Sequence, residues 1–209
     1  MSGDVDFSSF SALAAVFSER RAFDKASYQR AQRYQETLTK PLGALGHLED
    51  LACWLSGWQS RLRPRAENIA VHLYAGNHGI AAQGVSAYPA AVTEQMVANF
   101  RHGGAAINQL CHLYGFDMHV HVMDLATPTK DFSVAAALEE SACLAAIRYG
   151  YESVMATDAD ILVLGEMGIG NSTAAAALAA VCFGGAVQEW VGQGSGLDQK
   201  GLRHQHNRL

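Results

Sequence analysis

The first third of the chain carries the hydrophobic pattern of helices. Residues 8–23, residues 24 to about 39 and a segment that begins near Ala44 are each predicted to be helical. In the third segment leucines recur three, four or seven residues apart, with polar residues between them, which gives a helix one apolar face. The proline and glycines of residues 40–46 predict a tight loop before it.

The rest of the chain alternates between short strand-like and longer helix-like segments. Strands are predicted at 69–75, 117–124 and 160–165, from β-branched and aromatic residues bounded by polar residues or glycine. Helical stretches lie between them at 92–114, interrupted at Gly103 and Gly104, and at 134–150. This alternation predicts an α/β fold in which helices flank a Rossmann-like parallel sheet.

An N-terminal helical segment, residues 1–66, is expected to precede a partial α/β nucleotide-binding core, residues 67–209, as one continuous domain. Doubly wound sheets usually have about five or six strands. Because only three strands are legible, we expect an incomplete sheet with an exposed edge. Because an exposed edge strand favours aggregation, an alternative expectation is that the chain does not fold stably alone.

Composition narrows the classes of function. Hydrophobic residues make up 49% of the 209 residues and the net charge is −5, which favours a globular domain and disfavours nucleic-acid binding. The four cysteines form no closely spaced pair, and an acidic start without an apolar segment is unlike a signal peptide. We therefore expect a cytoplasmic protein. The longest apolar stretch, 173–187, is too short for a bilayer and is predicted to be a core helix.

Ligands of parallel sheets bind at the carboxyl ends of the strands. The first strand is followed by Asn77 and His78 between Gly76 and Gly79. A polar pair flanked by glycines can approach a ligand closely. A turn in which both side chains satisfy local backbone groups is an equal alternative.

The loop after the third strand, residues 165–173, combines three glycines with Asn171, Ser172 and Thr173 ahead of an alanine-rich helix. Backbone N–H groups at such a helix start favour a phosphate, although tight packing with a hydroxyl cap explains the same residues. Glu166 is expected one step past a buried strand, where desolvation would raise its pKa and suit it to accept a proton. An ion pair with an unseen Lys or Arg is the alternative.

Two further features carry less weight. A second glycine-rich stretch, residues 192–198, again precedes a predicted helix and suggests a sugar-phosphate ligand or a surface turn. His72, His119 and His121 lie inside predicted strands, where packing is the expected role. No third ligand is expected near the pair His119 and His121, so no metal site is predicted.

Taken together, these motifs resemble one family, the nicotinate-nucleotide–dimethylbenzimidazole phosphoribosyltransferases. The resemblance runs from about residue 31 to 202 and is carried by four segments in order: Lys40-Pro-Leu-Gly-Ala-Leu-Gly-His-Leu-Glu49, Gly76-Asn-His-Gly79, Gly84-Val-Ser-Ala-Tyr-Pro89 with Val92-Thr93, and Gly165-Glu-Met-Gly-Ile-Gly-Asn-Ser-Thr173.

The resemblance implies a homodimeric enzyme that moves phosphoribose from nicotinate mononucleotide to 5,6-dimethylbenzimidazole, without cofactor or metal. The products would be α-ribazole 5′-phosphate and nicotinate, in cobalamin lower-ligand synthesis. By motif position, Glu166 would be catalytic, and Tyr88 and Met96 would flank the benzimidazole. The implied phosphoribosyl site is lined by Gly168, Gly170, Asn171, Ser172 and Thr173.

Three departures from the family pattern affect these expectations. Family members are longer and carry a second glutamate, regarded as the principal base, beyond the region that this chain matches. They also tend to have Lys where this sequence has Gln205, and residues 204–209 no longer resemble the family. The sequence is therefore interpreted as the N-terminal part of such an enzyme, with a non-catalytic nucleotide- or benzimidazole-binding module or an inactive truncated homologue as the alternatives.

Overall fold

The computed structural model describes residues 5–18 and 22–192 and divides the chain into two units, residues 1–68 and 69–209. The first unit contains helices α1 (Phe10–Ser18), α2 (Lys25–Thr37) and α3 (His47–Gln59). Asp24 caps α2 by accepting a hydrogen bond from the Ser27 amide at 3.0 Å.

The loop between α2 and α3 is tight, as predicted. Gly43 and Gly46 adopt positive φ angles of 71° and 54°, which favour glycine. Lys40 Nζ donates to the Glu49 carboxylate at 2.7 Å, and this ion pair closes the loop. On α3 the indole rings of Trp54 and Trp58 pack edge to face and remain 52% and 43% exposed, so neither is a core residue.

The second unit is built on a three-stranded parallel sheet in the order β2-β1-β3, which confirms the predicted fold class. Its strands are β1 (Ile69–Ala75), β2 (Asp117–Val122) and β3 (Ile161–Met167). Its helices are α4 (Ala91–Arg101), α5 (Ala106–Tyr114), α6 (Glu140–Met155), α7 (Asn171–Phe183) and α8 (Val187–Trp190), with a short 3₁₀ helix at Gly79–Gln83.

One predicted helix differs from the one observed. The interruption near Gly103 separates α4 from α5 as expected, but the helix predicted at 134–150 begins only at Glu140 and continues to Met155. Asp131 explains the late start, because its carboxylate accepts from the Ser133 amide at 2.9 Å and its carbonyl accepts from Val134. These bonds hold the preceding residues in turns rather than in a helix.

The two faces of the sheet differ in chemistry. On one face Leu73 and Ala75 join the hydrophobic core with Val97 and Phe100 of α4. Residues alternate between the faces of a strand, so His72 and Tyr74 lie on the other face. The parallel register pairs Tyr74 with Glu166 of β3, which places Glu166 on that polar face as well.

The alanine-rich segment forms a helix, α7, but not a core helix. Thr173 and Ala176 are its buried residues, whereas Val181 and Phe183 are 86% and 77% exposed. Helix α7 follows β3, the edge strand of the described sheet, so the sheet covers little of its surface. Within the described residues, no helix is long and apolar enough to cross a membrane.

Candidate active site

Three loops meet at the carboxyl edge of the sheet. The loop after β1 is bonded to the loop after β2, because the Thr129 amide donates to the Asn77 carbonyl at 3.2 Å and Asn77 Nδ2 donates to the Leu125 carbonyl at 3.0 Å. It is also bonded to the end of β3, where the Gly76 amide donates to the Met167 carbonyl at 3.0 Å. The predicted strand-end residues are thus brought to one place.

Glycine is required at two positions of the loop after β3. A Cβ on Gly168 would collide with the Gly76 carbonyl oxygen, and it would lie 2.5 Å from Asn171 Oδ1. Gly170 has a φ of +96°, and a Cβ there would lie 3.3 Å from the His78 Cβ. The first glycine therefore permits close approach of two loops, and the second permits the turn into α7.

Helix α7 begins directly at this loop. Gly170 occupies its N-cap position and no side chain caps the first turn. Ser172 is exposed there, whereas Thr173 is fully buried and belongs to the packing beneath the helix. The uncapped N-terminus of a 13-residue helix carries partial positive charge that favours an anion.

Glu166 is not one step past a buried strand, as the sequence predicted, but the penultimate residue of β3. This strand is the partly exposed edge of the described sheet, and Glu166 itself keeps an exposed surface. The groups around its carboxyl nevertheless displace enough water to raise its pKa, which the nearby His78 partly offsets. The pKa of Glu166 is thus shifted in the expected direction, although the residue lies within the strand and not after it.

Thr93 is a site residue that the sequence analysis noted only as part of a motif. It lies in the first turn of α4, is fully buried, and its hydroxyl accepts from the Ile169 amide at 3.2 Å. This bond fixes the middle of the glycine loop to α4. The motif Val92-Thr93 was the available signal in the sequence, and the burial of the hydroxyl became visible only in the structure.

Two carboxamide oxygens at the strand ends are buried and lack a partner in the described structure, Asn77 Oδ1 and Asn171 Oδ1. Buried acceptors are normally satisfied by a donor from protein, water or ligand. Asn77 also lines a cavity of about 320 Å³ with Glu94 and Leu125, close to the smallest volumes that hold small ligands. These two acceptors are suited to hydroxyl or N–H donors of a bound molecule.

The residues predicted to flank a benzimidazole lie in different environments. Tyr88 is 54% exposed and precedes α4, whereas Met96 lies within α4 and packs against the hydrophobic core. Neither environment by itself defines a pocket for an aromatic ligand, so the ligand role of both residues stays a prediction.

The strand histidines are closer together than their spacing indicated. His121 Nε2 lies 3.0 Å from His72 Nδ1, and the His72 ring lies 4.7 Å from that of His119. The parallel register brings His72 near this pair, because it aligns His72 with His119. Among the described residues, no group of three or more potential ligands is arranged to hold a metal ion.

Some predicted features lie outside the described residues. The second glycine loop is described only as far as Gly192, and the helix start after it, Gln205 and the divergent residues 204–209 are not described.

A parallel sheet with a glycine-rich helix start at its carboxyl edge is typical of α/β domains, many of which bind nucleotides or phosphates. A family model described as phosphoribosyltransferase matches residues 21–209. The nicotinate-nucleotide–dimethylbenzimidazole phosphoribosyltransferase of Cereibacter sphaeroides KD131 is 53% identical over 191 residues, which are 91% of this chain and 56% of that protein. The protein of the same name from Jannaschia sp. CCS1 is 55% identical over 86% of this chain and 53% of its own length.

A solved structure agrees with these relatives. The crystal structure of CobT from Thermus thermophilus superposes with a TM-score of 0.79 at 36% identity, covering 88% of this chain and 60% of that one. The chain belongs to the family of nicotinate-nucleotide–dimethylbenzimidazole phosphoribosyltransferases. It spans about half the length of the curated relatives that it matches.

Proposed function

We propose that this site takes part in the transfer of phosphoribose from nicotinate mononucleotide to 5,6-dimethylbenzimidazole, a step of cobalamin lower-ligand synthesis. The observation that carries the proposal is the juxtaposition of Glu166, with its raised pKa, and the uncapped N-terminus of α7 across one glycine loop. The names of the family members supply the substrates.

The phosphate is assigned to the start of α7. Gly168 and Gly170 bring the backbone close to the ligand, and the exposed Ser172 adds a hydroxyl donor. The unpartnered oxygens of Asn77 and Asn171 are assigned to ribose hydroxyl donors. We keep Tyr88 and Met96 as candidates for the benzimidazole side of the site.

Within this chain Glu166 is assigned the role of general base, whereas the second glutamate that the resemblance implies lies beyond the region that the chain matches. The nicotinate leaving group is a pyridinium in the substrate, so it takes the bonding electrons of the glycosidic bond and departs with a neutral ring. One benzimidazole nitrogen forms the new bond to the ribose carbon, and the N–H proton passes to the carboxylate. A carboxyl with a raised pKa accepts that proton more readily than an ordinary one.

The test is formation of α-ribazole 5′-phosphate by the purified chain from both substrates, followed by chromatography with mass detection. We expect product above the protein-free control. The Glu166→Gln variant should lose about 10²-fold or more of the rate while it binds nicotinate mononucleotide with nearly unchanged affinity. Absence of product, or equal loss of binding and rate in the variant, would contradict the proposal.

A homodimer in the cytoplasm is proposed together with this function. The family resemblance supports the dimer, and the free cysteines, which form no closely spaced pair, support a reducing compartment. Analytical ultracentrifugation of the purified chain is expected to give twice the 22.4 kDa monomer mass, and a monomer at micromolar concentration would contradict the dimer.

A further inference from the structure

The polar face of the sheet carries a row of side chains that ends at Glu166. The register aligns Tyr74 of β1 with His121 of β2 on one side and with Glu166 of β3 on the other. In-register side chains of neighbouring parallel strands lie side by side on one face, with Cβ atoms about 5 Å apart. Tyr74 is therefore the immediate neighbour of the Glu166 side chain within the sheet.

The Tyr74 hydroxyl has its proton committed elsewhere. Ser153 of α6 donates its hydroxyl proton to the Gly150 carbonyl at 2.8 Å. In the 2.7 Å bond between the Tyr74 and Ser153 oxygens, Tyr74 must consequently be the donor. With its proton held by Ser153, Tyr74 has no hydroxyl proton to offer the Glu166 carboxylate, which leaves its ring as the part that faces this neighbour.

The ring of Tyr74 is held from its other side by His121. The two rings stack with centroids 4.6 Å apart and an interplanar angle of 15°. His121 is in turn fixed at both ring nitrogens, by Tyr149 Oη at 3.0 Å and by His72 Nδ1 at 3.0 Å. The stacked pair therefore has little freedom to move away from β3.

One consistent assignment of donors and acceptors satisfies the hydrogen bonds that join Thr157, His72, His121 and Tyr149. Thr157 donates to the Ser153 carbonyl at 2.9 Å, so its oxygen accepts from His72 Nε2–H at 3.0 Å. His72 Nδ1 then accepts from His121 Nε2–H, and His121 Nδ1 accepts from the Tyr149 hydroxyl. Both imidazoles are neutral in this assignment, in agreement with the lowered pKa of each, which burial causes first.

We propose that Tyr74 is a positioning residue for the Glu166 carboxyl, held beside it by Ser153 and by the hydrogen-bonded pair of His72 and His121. The role rests on the proposed function of Glu166 as a base. Tyr74 keeps water from one side of the carboxyl, so that the group holds a proton more readily than a solvated glutamate does. The titratable groups brought near this row are Tyr74 and His72 of β1, His119 and His121 of β2, Tyr149 of α6, and His78 of the loop after β1.

The test measures the titration of Glu166 itself and needs no turnover. The carboxyl ¹³C signal of Glu166, assigned by its loss in Glu166→Gln, is followed by NMR against pH in the full chain. We expect a midpoint above the ordinary value of 4.5 in the original chain, a fall toward that value in Tyr74→Ala, and nearly full retention in Tyr74→Phe, which keeps the ring.

Tyr74→Leu covers the case in which the alanine variant does not fold, since it keeps a branched apolar side chain in the strand. Its midpoint should lie between those of the phenylalanine and alanine variants. Unchanged midpoints in the alanine and leucine variants would overturn the proposal. A fall of the midpoint in Tyr74→Phe as large as that in Tyr74→Ala would also overturn it. A shifted midpoint without any phosphoribosyl product would leave the positioning role standing and contradict the proposed reaction instead.

Discussion

The bond between Thr93 and the Ile169 amide gives the sharpest test of how the glycine loop is held. Thr93→Val replaces the hydroxyl with a methyl group of similar size and leaves the Ile169 N–H buried without an acceptor. An unsatisfied buried donor costs about 1–3 kcal/mol. For a chain of this length each kcal/mol corresponds to about 2–4 °C in Tm, so a fall of roughly 2–12 °C is expected.

Urea unfolding followed by circular dichroism measures this loss, and Thr93→Ser is the matched control. The serine keeps the acceptor and removes one buried methyl group, which costs about 1 kcal/mol. Stability should therefore decrease from the original chain to Thr93→Ser and further to Thr93→Val. Calorimetric titration should show the weakest binding of nicotinate mononucleotide in Thr93→Val. A valine variant at least as stable as the serine variant would refute the reasoning.

Three further predictions follow from the same site. Glu166→Gln should raise the free energy of unfolding at pH 7 slightly, because an ionised Glu166 is disfavoured in the folded chain and solvent screening at this exposed side chain keeps the effect small; a less stable variant in urea unfolding would contradict this. Stability should fall as pH drops below about 6.5, because burial lowers the pKa of His72 and His121 and the unfolded chain then binds more protons; the slope should reach at most about 1.4 kcal/mol per pH unit per histidine, and a flat profile from pH 7 to 5 would count against it. Gly168→Ala should lose at least about 1–3 kcal/mol of stability together with nucleotide affinity, because its Cβ meets the Gly76 carbonyl; unchanged affinity in calorimetric titration would oppose the assigned loop geometry.

Short-range patterns predicted the second unit well. The β-branched and aromatic residues of 69–75, ending at glycine, located β1 at its observed bounds, and the glycine pair at 103–104 located the break between α4 and α5. These features depend on local chemistry, namely strand propensity and the freedom of glycine to take a positive φ. The start of α6 was missed because Asp131 binds the Ser133 amide, a contact that hydrophobic periodicity does not reveal.

The site was predicted less completely than the fold. Glycine-rich loops and Glu166 were visible as motifs, but the approach of Gly168 to Gly76 joins segments about 90 residues apart and depends on strand order. Register is equally invisible in one sequence, so the alignment of Tyr74 with both Glu166 and His121 was not foreseen. The positions of the histidines along the sequence also did not indicate that the rings of His72 and His121 lie within hydrogen-bond distance.

The central claim is that the carboxyl edge of the sheet binds the nucleotide substrate through the loop after β3. The most direct measurement is titration of the ¹⁵N-labelled chain with nicotinate mononucleotide, followed by amide NMR. Saturable shifts are expected at Gly168, Gly170 and Asn171, together with a shift at Asn77 across the site. Saturable binding that leaves these amides unperturbed, or an absence of binding at millimolar nucleotide, would contradict it.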